Sequence, residues 1–561
     1  MLNYRKDNEK KGFAKFLDYL HKHIIQVIVV VVLIAGIIST VVIVTGRVAD
    51  KKSSQKSDIT YKEASTIYLP MITPESFDPL SSNDEVIQNI NPLIFQSLFD
   101  LDENLNIVGE LVDSYTTDSK EGSVNIKLKS GISFSDGTNF TADDVAYTVR
   151  QIKQIGSKSP YYNYVNRIDY VDVKDNNNLT IYFKSEKDAA LDNLVFPIVC
   201  SSQYGGSNDF KIGTGPYAYG EYVDGQTLNL GANKYYKGDI AIKNVTMEAL
   251  DNKNFSMGLM TMDSITCDLI KSSNGDVEAK DKDLKYKKIV SNELEYIGFN
   301  CTKPLLSNAK VRKAIALSID CKSIIEDNYG GSGTVSNSLY YPDFLGVKDK
   351  ESNEGVGYSK KEAVKLLKSA NVKDVDDDGV VETKDGKDVV LKILVNDNNT
   401  SRRDTAYSIA EDLKKVGIQS EVVAVSFDDY KKKLESKDFD IYLGGMKIDK
   451  QFRLSNMFSS SSYTGFKDAK VISKVDELEL ALTADEQKKV FGEVKSMLEE
   501  SMPYYPICYK NYFFVSVDTL KYNKVPTFFE PYRGCNDWTW QLRISKELDE
   551  TQKPEKKSEK K

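Results

Sequence analysis

Gly213, Gly215 and Ala218 in GTGPYAYGEY (213–222) satisfy the loose dinucleotide fingerprint G-x-G-x-x-A. A phosphate cradle there needs a strand before the motif and a helix opening at its end, so that backbone N–H groups and the helix dipole face the anion. After Pro216, however, large residues alternate with small or polar ones around an Asp224-Gly225 pair, which is the pattern of a β-hairpin. No acidic residue closes a second clear strand about 20 positions on, where a ribose ligand belongs. A second pattern is DVDDDGVVETKD (374–385). Asp374, Asp376, Asp378 and Gly379 keep calcium-loop spacing, with Asp385 in place of the usual glutamate. A helix precedes it but the strand VVLKILV follows, so a plain acidic turn is the first reading and a calcium site the second.

What is missing narrows the chemistry further. The chain has two histidines, His21 and His23, both ahead of a long apolar run. Ser-His-Asp and Cys-His nucleophiles and histidine-ligated zinc or nickel are therefore absent beyond that run. There is no G-x-S-x-G elbow and no G-x-x-x-x-G-K-[ST] loop. Asp and Glu total 83, yet no spacing marks a catalytic pair. The expectation is a binding protein with no cofactor, not an enzyme. A net charge of −8 and a pI near 5.3 argue against a nucleic-acid partner.

The elements that must position any site come next. ASTIYLPMI (64–72) reads as a strand, and EVIQNINPLIFQSLF (85–99) has helical apolar spacing. Strands follow with turns at Ser130-Gly131 and Asp136-Gly137. Thr141 then caps a helix whose first turn carries Asp143 and Asp144. YVDV and LTIYF are further strands. The second half is of α/β type. Ser359 with Glu362 makes a capping box, and VVLKILVN, the helix around DTAYSIAEDLKKV and the strand IQSEVVAV form a β-α-β unit. DDYKKKLES and FDIYLGG continue it as helix and strand.

Residues 24–46, IIQVIVVVVLIAGIISTVVIVTG, form an apolar run. As a helix it is about 33 Å long, enough to span a bilayer. More lysine and arginine precede it than follow it, which predicts a cytoplasmic N-terminus and an uncleaved signal anchor. Residues 47–62 read as a polar tether, and the tail from 550 as disordered. Six scattered cysteines leave room for one or two disulfides outside the cell, with the pairing open.

The order FDP (77–79), FSDGTNFTADDV (134–145), GTGPY (213–217), FNCTKPLLSNAKVRKAIALSID (299–320) and the α/β segment resembles the peptide/nickel-type extracellular solute-binding proteins. These are the oligopeptide- and dipeptide-binding receptors of ABC importers, and the resemblance runs over about residues 62–545. It implies a two-lobed, hinge-closing, type II periplasmic-binding-protein-like α/β fold with a small inserted third lobe, here preceded by one transmembrane helix. The corresponding division is a cytoplasmic segment at 1–23, the anchor at 24–46 and the tether at 47–62. Lobe I takes 63–99, 206–291 and 506–549, small lobe II 100–205, lobe III 292–505, and the tail 550–561. GTGPY then becomes a turn leading back from the small lobe, with no phosphate to hold.

The same resemblance implies a membrane-anchored extracellular receptor with a monomeric outer portion. It captures peptides by hinge closure and passes them to ABC permease subunits, whose ATPase works inside the cell. A peptide-sensing signalling or adhesion receptor on the same fold is the alternative, and a nickel chelate is a third ligand class. Oligopeptide receptors resemble LGGMKIDKQF (443–452) and place an aspartate at the position of Asp449, against the peptide's ammonium. Met446 stands where an aromatic is usual, beside Lys447, and the Asp/Glu-Pro that often follows is missing. Asn83, Asp84 and Glu85 stand where the first lobe contacts ligand main chain, or else cap the next helix. Tyr161 and Tyr162 either close over the cleft or pack in the core.

Overall fold

The structure is a computed structural model. It describes residues 59–545 apart from 104, 119, 186–189, 205–210, 251–258, 262–263, 272–282, 343, 348–356, 460 and 482–483. The expected cytoplasmic segment, membrane anchor and tail lie outside the described residues, as does most of the tether. Among the described residues no helix is long and apolar enough to cross a membrane. By its contacts the chain divides into a small unit, residues 1–62 with 543–561, and a large one, 63–542. Residues 59–62, the last of the expected tether, belong to the strand Ile59–Glu63, whose Ile-Thr-Tyr run favours extended backbone.

Among the described residues of the large unit there are three hydrophobic clusters. The first gathers the helix Glu85–Ile94 and a four-stranded sheet in the order Thr66–Met71, Asn244–Ala249, Thr227–Ala232, Tyr217–Val223. A second, antiparallel sheet joins it, in the order Val112–Asp118, Ser123–Leu128, Asn178–Phe183, Ile168–Val173, with the helix Ala142–Ile155. The other two clusters lie on a seven-stranded sheet whose strands alternate between them. Ile441 and Leu443 belong to one and Tyr442 to the other; Ile393 and Val395 to one and Leu394 to the other. A sheet buried on both faces needs such near-continuous apolar strands.

Two long antiparallel strands of that sheet, Leu284–Phe299 and Tyr504–Val517, run from the first cluster into the other two. Leu284, Ile289, Phe514 and Val517 pack in the first; Ile297, Phe299, Tyr505 and Ile507 pack in the second. Their pairing slips between Val290 and Leu294 and again between Glu295 and Tyr296. A bulge of this kind weakens the ladder locally and lets the ribbon bend.

Local signals of the sequence hold where the chemistry is local. Thr141 and Asp144 form the capping box, Ser359 Oγ accepts the Glu362 N–H at 3.3 Å, and Gly225 turns the 217–232 hairpin at φ +64°. Val390–Asn396, Thr400–Lys414 and Gln419–Val425 make the β-α-β unit, with parallel strands. The helix expected over 85–99 stops at Ile94. Pro92 has no N–H to offer, and the chain turns extended at Phe95. No disulfide forms among the six cysteines: all are free thiols and all but Cys301 are buried. Burial pushes the Cys321 and Cys535 thiols up to about 12.

GTGPY has a structural role that differs from a simple turn. The Gly215 N–H donates to the Ile94 carbonyl at 2.8 Å, so the motif closes the C-terminus of Glu85–Ile94 rather than opening a helix. A Cβ on Gly213 would stand 1.9 Å from the Ile94 oxygen, and one on Gly215 2.7 Å from the Leu93 oxygen. Close backbone approach is what demands glycine. Gly213→Ala is expected to destabilise the fold by about 3 kcal/mol, read from the denaturant midpoint. Gly231→Ala, whose Cβ meets nothing within 4 Å, should change it by less than about 0.5 kcal/mol.

Candidate functional site

A cavity of about 720 Å³ opens beside the helix Glu85–Ile94. That size suits a small organic or short peptide ligand, for which pockets run about 300–1,000 Å³. One wall is the helix face with Glu85, Gln88 and Asn89, followed by Gln96, Ser97, Asp100 and Glu110. A second comes from the loop after the strand Ile441–Lys447, with Lys447, Asp449 and Lys450. A third is the C-terminal run with Phe528, Phe529, Glu530 and Arg533. Tyr161 and Tyr164 complete it. The polar and apolar mixture fits a ligand with charged ends and an uncharged backbone.

The structure places Asn83, Glu85, Tyr161, Lys447 and Asp449 in this wall. Asn83 donates its amide to the Lys158 carbonyl at 3.1 Å, and Glu85 is ion-paired with Lys271. The Tyr161 hydroxyl donates to Gln88 Oε1 at 2.8 Å. Three expected residues stay out of the wall. Asp84 is the N-cap of Glu85–Ile94, its Oδ1 accepting the Val86 N–H at 2.9 Å. Met446 packs into the cluster around Leu294, because the strand's alternation turns it away from the cavity. Tyr162 opens the short helix Tyr162–Val165, and Tyr164, two residues on, lines the cavity instead.

Asp449 begins a tight loop. Its Oδ1 accepts the Gln451 N–H at 2.9 Å, its carbonyl accepts the Phe452 N–H at 3.2 Å, and Phe452 sits at φ +52°. A bulky residue in the left-handed region is strained, and such strain persists only where packing enforces it. Phe452 is 4 % exposed and meets Phe529 edge-on at 5.7 Å. The far end is pinned by Glu479, whose Oε1 accepts the Leu454 and Ser455 N–H groups at 2.5 and 2.7 Å. No cation pairs with Asp449 among the described residues. Desolvation raises its carboxyl above the usual carboxylate range, opposed by the Gln451 N–H and by Arg453. The residue stays exposed to the cavity, and a carboxylate there with no ion-pair partner is suited to a ligand ammonium.

The residues after Asp449 cross to the first cluster's side. Lys450 Nζ lies 2.9 Å from Glu530 and 3.3 Å from Asp100. Against burial, Lys450 and a hydrogen bond with Glu530 hold Asp100 below the usual range, whereas burial lifts Glu530 above it. Gln451 donates to Asn193 Oδ1 at 2.7 Å, and Arg453 grips Asp192 through Nη2 at 2.6 Å and Nε at 3.2 Å. Sequence reading passed over Lys450, Arg453, Glu110 and Glu530. The ion-pair partners of Lys450 and Arg453 lie 80 or more positions away, and Glu110 meets Ser97 and Gln96 across 13 and 14 positions, so only the fold brings them together. The one local signal is that Lys450 and Arg453 flank Asp449 in the run already singled out.

The acidic loop brings together Asp374, Asp376 and Glu382, not Asp378, with ligand atoms within 4.8 Å of one another. Asp378 Oδ1 instead accepts the Val380 N–H at 2.7 Å, as in a plain turn. The loop is away from the cavity wall.

The sequence profile of the bacterial extracellular solute-binding proteins, family 5 (middle), matches residues 106–468. The oligopeptide-binding protein AppA of Bacillus subtilis (strain 168) is 24% identical over 499 residues, covering 83% of this chain and 90% of its own. Among solved structures, the periplasmic murein tripeptide-binding protein MppA in its unliganded open form aligns with a TM-score of 0.73. It is 16% identical, with 86% of this chain and 99% of that one covered. A nickel ABC transporter structure from Bacillus halodurans aligns equally well, with a TM-score of 0.73 and 17% identity over 84% of this chain and 99% of that one. At such identities the likeness is one of fold.

Proposed function

Because the chain belongs to the bacterial extracellular solute-binding proteins of family 5, non-enzymatic binding receptors of ABC importers, we propose that it captures peptides and delivers them to an ABC permease. The observation that carries the peptide reading is Asp449: an exposed carboxylate in the cavity wall with which no cation pairs among the described residues. It stands ready for an amino terminus, while the neighbouring amides and tyrosines offer hydrogen bonds to a peptide main chain. Asn83, Glu85, Tyr161 and Lys447 join it as contacts.

Capture proceeds by closure of two lobes about the bulged strands Leu284–Phe299 and Tyr504–Val517. The lobe boundaries are those anticipated for 63–549, with the small lobe at 100–205. Ligand stabilises the closed form to the extent that it touches both sides. The apolar run 24–46 anchors the chain in the cell membrane with its N-terminus cytoplasmic and the binding portion, a monomer, outside.

Native mass spectrometry of the full-length chain in detergent tests this. The expected result is a set of short peptides carried through purification and absent from Asp449→Ala. An empty chain that also shows no thermal shift with a mixed peptide library overturns the peptide assignment.

A further inference from the structure

The charge inventory of the cavity points to the kind of peptide it takes; this rests on the peptide-binding reading above. Nearly every ionisable group in the wall has a protein partner. Glu85 pairs with Lys271, and Lys447 lies 3.4 Å from Glu293. Lys129 places its ammonium 2.6 Å from the Glu110 main-chain oxygen. Lys450 and Arg533 serve Asp100 and Glu530. Lys450 stands at 3.3 and 2.9 Å from these two, and Arg533 at 3.7 and 3.3 Å.

Glu110 is the exception in that corner. Its Oε2 accepts the Ser97 N–H at 2.7 Å and its Oε1 the Gln96 amide at 3.2 Å, both uncharged donors. Asp100 and Glu530 thus hold Lys450 and Arg533 between them, while Lys129 meets Glu110 through its main-chain oxygen and not its carboxylate. Burial is the main influence on Glu110. With repulsion from Asp100 and Glu530 added, it pushes the carboxyl up to about 8, against the opposing hydrogen bonds. Tyr236 is the remaining titratable neighbour, itself raised by burial and by Glu110. A half-buried carboxylate beside two others, with no ion-pair partner of its own among the described residues, is costly unless something neutralises it. In the empty cavity a proton does so at neutral pH.

We infer that Glu110 is a second cation subsite, so that the cavity favours ligands carrying a second cationic nitrogen besides the amine held at Asp449. Glu110 follows the strand Ile107–Gly109, whereas Asp449 follows Ile441–Lys447, so the two carboxylates approach the ligand from different walls. A lysine or arginine side chain of a peptide supplies that nitrogen, and so does a polyamine. When the cation arrives, Glu110 gives up its proton to solvent and remains as the carboxylate of an ion pair.

Isothermal titration of the full-length chain in detergent separates these cases. The probes are trialanine, the three tripeptides with one lysine replacing each alanine in turn, and spermidine. Each is titrated at pH 6.5, 7.5 and 8.5, in buffers of different ionisation enthalpy. At least one lysine tripeptide is expected to bind about tenfold or more tightly than trialanine at pH 7.5. Its advantage should grow toward pH 8.5, with release of up to about one proton at pH 6.5–7.5. In Glu110→Gln the lysine advantage and the proton release both disappear. Lysine tripeptides no tighter than trialanine, or an advantage that survives Glu110→Gln, overturns the subsite. Proton release on wild-type chain tests the same point without the variant. Should no tripeptide bind, the peptide reading fails. Spermidine binding with Glu110-dependent proton release then supports the subsite with a polyamine source, and no spermidine binding overturns it.

Discussion

Arg453→Ala is expected to weaken peptide binding by about a hundredfold or more and to expand the ligand-free chain. The Arg453 and Asp192 side chains are 7% and 9% exposed, and two hydrogen bonds join them at 2.6 and 3.2 Å. Removing the guanidinium strands a buried carboxylate, which costs about 3–5 kcal/mol. The chain can escape that cost by letting water reach Asp192, which means parting the loop at 449–453 from the first cluster. A ligand must then close the contact again, and the closing free energy is subtracted from its affinity. Peptide titration and small-angle X-ray scattering of the free chain measure the two effects. Asp192→Ala in the Arg453→Ala background removes the stranded charge and should recover part of the lost affinity. Unchanged affinity together with unchanged scattering sinks the idea that this pair holds the two sides together.

Asp449→Ala has the second large effect. A charged partner lost from a desolvated ion pair costs about 2–5 kcal/mol, so peptide affinity should fall by roughly thirtyfold to several thousandfold. Asp449→Asn keeps the shape and the turn but not the charge, and should lose nearly as much. The pH dependence has a definite sign. Burial raises the Asp449 carboxyl in the empty cavity, so its charge is lost at a higher pH than that of a free aspartate. Affinity for an ammonium therefore weakens as pH falls through that raised value. For the empty protein the sign is opposite: the protonated group favours folding at low pH, and that contribution is lost as pH rises through the raised value. Titration of a neutral tripeptide between pH 4.5 and 7.5 reads the first effect. A flat profile identical to that of Asp449→Asn excludes Asp449 as the ammonium partner.

The two variants separate two jobs performed by one loop. Asp449 lines the cavity with no ion pair among the described residues, while Lys450, also in the wall, and Gln451 and Arg453 are bonded to protein partners. Glu479 holds the far end of the loop, and the left-handed Phe452 is trapped between Phe529 and the core. A ligand that draws on Asp449 therefore pulls on a segment already fastened across the cavity. In the proposed capture, recognition and closure thus lie a few residues apart in the chain.

What the amino-acid sequence determined by itself was whatever depends on neighbours within a few positions. The capping box at Thr141, the N-cap at Ser359 (whose own N–H goes to the Leu317 carbonyl, so the expected box does not close), the hairpin at Gly225, the β-α-β unit and the N-cap role of Asp84 all follow from local hydrogen bonding and periodicity. The ordered motifs carried the family, and the missing histidines excluded much chemistry, because composition and motif order need no coordinates. Tertiary structure decided what depends on contacts distant in sequence. Gly213 and Gly215 look like a phosphate loop until the carbonyls of Leu93 and Ile94 stand against them. Met446 and Lys447 are adjacent in sequence, yet strand alternation sends one to the core and the other to the cavity. The partners of Lys450 and Arg453 lie 80 to 350 positions away. Glu110 shows no local feature at all. Its raised carboxyl comes from burial, from Asp100 ten positions before it and from the sequence-distant Glu530, and desolvation is a property of the folded volume, not of a sequence window.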